Sequence, residues 1–310
     1  MTLLRFLSLT LLISLAPCSA QAAACCALSA PGRSGRIPEG EIVAVVLGLG
    51  TELRPGSWTS DGELRFARDD LQLTQTLSPQ VIWRPHRVVQ GSVALPLLLN
   101  LNRYGDVELV GAGPGDLRLT LRLEPLPPGL RAGLRPVLGF ALGASLPTGR
   151  SVAQVHDGNA AMTTGSGFVV LTPALSVDRS FHWGSVGGDV SVGLPLPVNA
   201  DVLAPGIAWS VSGFAAFLAS SRVTVTATLG GRGSGPGRLN GRALGSPQLE
   251  PFAGVGLVLE PRHLRRVLLG LEGSLPIPGL GRARAVSVVA SVGGSLSFPR
   301  RGATVDPPAS

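Results

Sequence analysis

The chain has 310 residues, 45% of them hydrophobic and only 15% charged, which excludes a disordered chain and is enough for one large domain without requiring two. Its 42 Gly and 26 Pro break every segment after the signal-like start before a helical stripe of useful length can form, so the composition is all-β. The net charge of +7 comes from arginines that are scattered and not interleaved with aromatics, and no nucleic-acid partner is expected.

Arg5, the apolar run Phe6 to Ala16 and the small residues through Ala24 have the layout of a secretory signal peptide over residues 1–24. The run is too short for a retained membrane-spanning helix. Ala20 with Ala22, or Ala22 with Ala24, supplies the cleavage site, and residues 25–39 form an N-terminal tail. Ala22 is a poor substitute for the leucine that usually precedes a lipidated cysteine, so acylation of Cys25 is a weak reading. Cys25 and Cys26 are adjacent and far from any His, which argues against a metal site, and no cofactor is expected.

From Gly40 the sequence divides into strand-like pieces whose connections alternate between short and long. Strands are expected over 41–53, 63–84, 88–101, 116–124, 134–146 and 167–178, then over 185–194, 207–218, 223–229, 248–259, 264–275 and 286–298. The long connections are 54–62, 102–115, 147–165, 195–206, 230–247 and 276–282, and the short ones lie between them. About twelve strands, an even number, place both termini on the short-turn side, as in bacterial outer-membrane barrels. The fold class expected is an antiparallel up-and-down transmembrane β-barrel over residues 40–298, followed by a tail over 299–310.

The fourth strand alternates most cleanly. Leu117, Leu119, Leu121 and Leu123 fall on one face, and Arg118, Thr120, Arg122 and Glu124 on the other. Leu71, Leu73 and Leu77 likewise alternate with Gln72, Thr74 and Thr76. Arg118, Thr120, Arg122, Gln72 and Thr74 are therefore the candidates for a lumen-facing surface. Trp83, Trp183 and Trp209 fall near strand ends, where interfacial aromatics belong, although 5% aromatic residues is few for two full girdles. The last strand, Val286 to Phe298, ends on Gly293, Leu296 and Phe298. This spacing resembles the closing signal of outer-membrane barrels, which implies recognition by the barrel-assembly machinery and a setting of outer-membrane lipids.

Three loop motifs occur in order: Gly111-Ala112-Gly113-Pro114-Gly115-Asp116-Leu117, then Leu146-Pro147-Thr148-Gly149-Arg150, then Thr164-Gly165-Ser166-Gly167. Together they resemble the G-x-G-D, P-T-G and G-[ST]-G motifs of outer-membrane channels of the phenol-degradation meta-pathway type. The resemblance covers roughly residues 40–298 and implies a monomeric barrel that takes up small hydrophobic or aromatic compounds. From the residues alone, Gly113, Gly115, Gly149 and Gly165 are expected where the chain reverses with positive φ, and Asp116 is expected to accept bonds from nearby backbone amides.

An enzyme is not expected. His86, His182 and His263 lie at short turns, no strand places a His beside a Ser, and His156 with Asp157 sits alone in a loop. Asp69 and Asp70, adjacent on a strand, point to opposite faces. The basic turn residues, including Arg84, Arg87 and Arg179, are positioned to meet lipid phosphates if the short turns face the periplasm. Two other readings remain at this stage, a non-transporting structural barrel and a secreted soluble β-sandwich.

Overall fold

The computed structural model describes residues 41–58, 64–65, 70–104, 106–125, 136–151, 154–155, 160–196, 205–220, 222–239, 242–244, 247–260, 266–274 and 285–299. The expected signal peptide, both cysteines of the N-terminal tail, His156, Asp157, Asp69 and the tail beyond Pro299 lie outside them.

In chain order the strands are β1 (Glu41–Trp58), β2 (Leu64–Arg65), β3 (Asp70–His86), β4 (Val89–Ala94), β5 (Leu97–Tyr104), β6 (Val107–Pro114), β7 (Leu117–Leu123), β8 (Val137–Leu146) and β9 (Val169–Phe181). They continue as β10 (Gly184–Leu196), β11 (Ala208–Ser220), β12 (Val223–Ser234), β13 (Gly237–Leu239), β14 (Arg242–Leu244), β15 (Gln248–Leu259), β16 (Arg266–Ser274) and β17 (Ala285–Pro299). A bend at Leu95-Pro96 divides one wall strand into β4 and β5, both of which pair with β3. A second bend, at Gly115-Asp116, divides the next into β6, paired with β5, and β7, paired with β4.

With each bent pair counted once, the described residues form a wall of twelve antiparallel strands, each beside its sequence neighbour. β1 closes the ring. It pairs with β17 from Glu41↔Pro299 to Ser57↔Ala285, and with β3 from Val43↔Trp83 to Arg54↔Gln72. The result is the up-and-down barrel expected from the alternating connection lengths, with the start of β1 and the end of β17 on the short-turn side.

The period-2 pattern now has a physical reason. Val45, Leu47 and Leu49 of β1, Leu119, Leu121 and Leu123 of β7, and Val190, Leu194 and Leu196 of β10 are exposed on the outer face. Ala44, Val46, Gln90, Ser92, Ser212 and Thr226, one step away in parity, are buried on the inner face. Leu121 is 50% exposed and Val255 60%, values that a sandwich core would not leave. A continuous apolar belt of this kind is stable in hydrocarbon and a liability in water. Trp83 and Trp183 lie at the short-turn end of the wall and Trp209 toward the other end.

Several expected boundaries move by a few residues, the strand expected over 63–84 separates into β2 and β3, and two expected long connections change most. Residues 102–115 are not a long connection, because β5 reaches Tyr104 and β6 starts again at Val107, in register from Tyr104↔Val107 to Leu97↔Pro114. β12 likewise runs through Gly230, Gly231 and Gly233 to Ser234, paired on both sides. In both places a glycine run reads as a breaker in one dimension, yet the neighbouring strands hold it extended.

The outer position of Leu119 gives a direct test. Leu119→Phe enlarges an apolar side chain against lipid and is expected to leave heat-modifiable migration of the folded barrel near normal. Leu119→Arg is expected to reduce the folded fraction, at a cost of up to about 2–4 kcal/mol near the membrane midplane.

Candidate functional site

The candidate site begins with the connection between β8 and β9, which turns into the barrel and is tied to the inner face of β5 and β6. Asn100 lies within the run Leu97 to Leu101, at an inner position of β5. Its Nδ2 donates to the carbonyl oxygens of Ala161 (2.9 Å) and Thr163 (3.1 Å), and its Oδ1 accepts from Thr74 Oγ1 at 3.0 Å. Ala160–Met162 form a single 3₁₀ turn there, with Ala161 fully buried. Gly111 of β6 permits this approach, since a Cβ at that position would stand 2.1 Å from the Ala161 carbonyl oxygen.

The three glycine motifs meet at the root of the same connection. The Asp116 carboxylate accepts from the backbone N–H of Gly149 (3.2 Å) and of Ser166 (2.7 Å), amides 33 and 50 residues along the chain and not the neighbouring ones expected. Thr148 Oγ1 donates to the Gly115 carbonyl at 2.8 Å and accepts from the Leu117 N–H at 2.9 Å. The expectation for the glycines themselves is corrected. Among the described glycines only Gly167 (φ 76) and Gly184 (φ 154) have positive φ. Gly149 and Gly165 are instead needed for close approach, because a Cβ on Gly149 would come within 2.7 Å of the Gly165 backbone.

Two ionic clusters occupy inner positions at opposite ends. Near the short turns, Arg84 Nη2 donates to Glu124 Oε2 at 2.5 Å and to the Arg87 carbonyl at 2.8 Å, while Arg122 Nε donates to Glu124 Oε1 at 2.9 Å. Arg122 also reaches Ser176 Oγ at 2.9 Å. Arg84 and Glu124 are each 1% exposed. Arg84 is thus not one of the turn residues available to lipid phosphates; its side chain points into the barrel and is neutralised there.

Toward the long-loop end, Arg232 binds Glu250 through two donors, at 3.0 and 3.1 Å, and reaches Glu272 at 3.4 Å. The Ser274 hydroxyl donates to Glu250, and Arg232 also stands 5.5 Å above the Phe252 ring. The first cluster sets two arginines on one carboxylate and is buried, and the second sets one half-exposed arginine between two carboxylates.

The five candidate residues are therefore in different situations. Thr74 is tied to Asn100, Arg122 is held by Glu124, and Gln72 and Thr120 are half-buried on the same face. Arg118 is exposed, and among the described residues it makes no hydrogen bond or ion pair. It lies two positions from Asp116, just below the root of the inward connection. Asn100, Glu124, Arg232 and Glu250 were not among the expected site residues. The available signal was a polar residue at inner parity inside an apolar run. Gly293, Leu296 and Phe298 lie in β17, opposite Gly48, Val45 and Val43 of β1.

The structure is similar to the COG4313 outer membrane channel from Pseudomonas putida F1, with a TM-score of 0.68 and 13% identity, over 87% of this chain and 100% of that one. It also resembles the translocator domain of the autotransporter NalP from Neisseria meningitidis, with a TM-score of 0.43 and 11% identity over 84% and 89% of the two chains. The monoaromatic hydrocarbon channel TodX, in a mutant form, gives a TM-score of 0.45 and 11% identity over 83% and 91%. No family model and no curated protein matches the sequence. At 13% identity the first likeness shows the fold, that of an outer-membrane β-barrel.

Removing one member of a buried ion cluster leaves its partners desolvated. Glu124→Gln is expected to lower the stability of the folded barrel by about 3–5 kcal/mol, read as a lower temperature at which the compact gel band is lost. The triple change Arg84→Met, Arg122→Met and Glu124→Leu, which removes every charge of the cluster, is expected to recover much of that loss.

Proposed function

We propose that the chain is an outer-membrane channel that passes small hydrophobic or aromatic solutes passively. The observation that carries this reading is the inward connection pinned by Asn100, with the exposed Arg118 near its root on the inner parity of β7. A wall that is apolar outside and polar inside gives a route across the membrane, and a constriction sets the size of what passes. The resemblance of the three glycine motifs to the phenol-pathway channels supports the solute class. Arg118 adds a preference, because an exposed cation inside a narrow passage favours solutes whose apolar body carries a carboxylate or phenolate.

On this reading residues 1–24 direct export and are removed, and the closing strand with Gly293, Leu296 and Phe298 is read by the barrel-assembly machinery. Outer-membrane lipids surround the leucine belt. Arg118, Thr120, Gln72 and Thr74 contribute to the lumen surface, whereas Arg122 serves structure through Glu124.

Deleting residues 157–163, or cutting the tether with Asn100→Ala, is expected to raise the passage of a small solute into liposomes carrying the protein. Absence of passage before and after deletion would show a filled, structural barrel. The two arginines are separable in planar bilayers. Arg118→Gln is expected to shift the reversal potential toward cations while folding stays normal, and Arg122→Gln is expected to lower stability first.

A further inference from the structure

At the short-turn end of the outer wall, where β9, β10 and β11 meet, an arginine and three rings form one continuous surface. Phe181 and Trp183 stack with centroids 5.0 Å apart and planes within 5°, and Trp183 stacks on Phe217 at 5.1 Å. Gly184, in register with both Phe181 and Phe217, has no side chain and so opens the space that the indole spans. The Arg179 guanidinium lies 5.0 Å over the Phe181 ring, extending the row by one cation.

Arg179 shares outer parity with exposed Leu175 and Val177, so it is on the lipid side. Its Nε is shut off from solvent without a hydrogen-bond partner, and it makes no ion pair with a described residue. Asp178, its sequence neighbour, is on the opposite face. Arg179 is in register with Val186, the first residue of the outer apolar row Val186, Val190, Leu194 and Leu196. That row covers about eleven positions, close to the 9 to 11 residues a tilted strand needs to cross the hydrocarbon. Arg179 therefore lies at the boundary between acyl chains and headgroups.

A planar guanidinium that makes no ion pair with a described residue, set between the rings on its turn side and the apolar row Val177, Val186, Leu175 and Val190 on its membrane side, fits a phosphate diester carried on two acyl chains. We propose that this surface is a binding site for one glycerophospholipid of the periplasmic leaflet, its phosphate held by Arg179, its acyl chains laid along Val177, Val186, Leu175 and Val190, and its headgroup beside Phe181, Trp183 and Phe217. The site rests on the outer-membrane reading above, and the two fail differently. A wild-type protein that is soluble and not heat-modifiable would remove the membrane reading before any variant is made.

The test is native mass spectrometry of the full-length protein extracted from membranes in mild non-ionic detergent, then delipidated and titrated with phosphatidylglycerol or with inorganic phosphate. The wild type is expected to retain one phospholipid and to rebind it without competition from inorganic phosphate. Arg179→Gln should reduce retention by about tenfold, the loss of one charge-assisted contact. Arg103→Gln, exposed at the long-loop end of β5, should retain lipid like the wild type. If Arg179→Gln does not fold, Arg179→Lys keeps the charge but loses the paired donors and should still retain less lipid. Equal retention by the Arg179 variants, or displacement by inorganic phosphate, would overturn the proposal.

Discussion

Everything in this fold depends on β1 being hydrogen-bonded along both of its edges. In hydrocarbon an unpaired N–H or C=O costs several kcal/mol, and a strand row left open would present one at every second residue. β1 meets β17 on one side and β3 on the other over most of its length, so the first and last strands of the chain become neighbours. Only after that closure does the alternation of side chains divide the molecule into a surface for lipid and a surface for everything else.

The inner surface then has to stabilise polar groups with few waters, and it does so by pairing them. Arg84, Glu124 and Arg122 at one end and Arg232, Glu250 and Glu272 at the other hold strands that are distant in sequence. Between them Asp116 ties β7 to both ends of the inward connection, and Asn100 ties that connection's middle to β5. Arg118 differs from these residues: among the described residues it makes no hydrogen bond or ion pair, and its charge faces that of Asp116 two positions away.

The leucines of β7 could be assigned to one face from sequence because a strand has an unambiguous period of two, and the barrel followed from the alternation of connection lengths. That Asp116 accepts from backbone amides was legible, but which amides was not, since Gly149 and Ser166 are 33 and 50 residues away. The ion clusters were not. Arg84 and Glu124 are 40 residues apart, and a contact across neighbouring strands has no local pattern. Arg84 therefore looked like a solvated turn residue. The glycines of β6 were misread for a related reason: a strand that receives an incoming loop needs small residues at inner positions, and the same letters in isolation mark a turn. Gly111 is explained only by the Ala161 carbonyl that stands against it.

The central claim, a closed ring with its leucine face in lipid, is tested most directly by collision accessibility of spin labels placed one at a time along residues 117–123 in the membrane-inserted protein. The account predicts that labels at 117, 119, 121 and 123 collide readily with oxygen, which concentrates in the bilayer, and poorly with a polar nickel chelate. Labels at 118, 120 and 122 should show lower oxygen access. Absence of a period of two, or the same period with the polar positions in contact with the bilayer, would contradict the account.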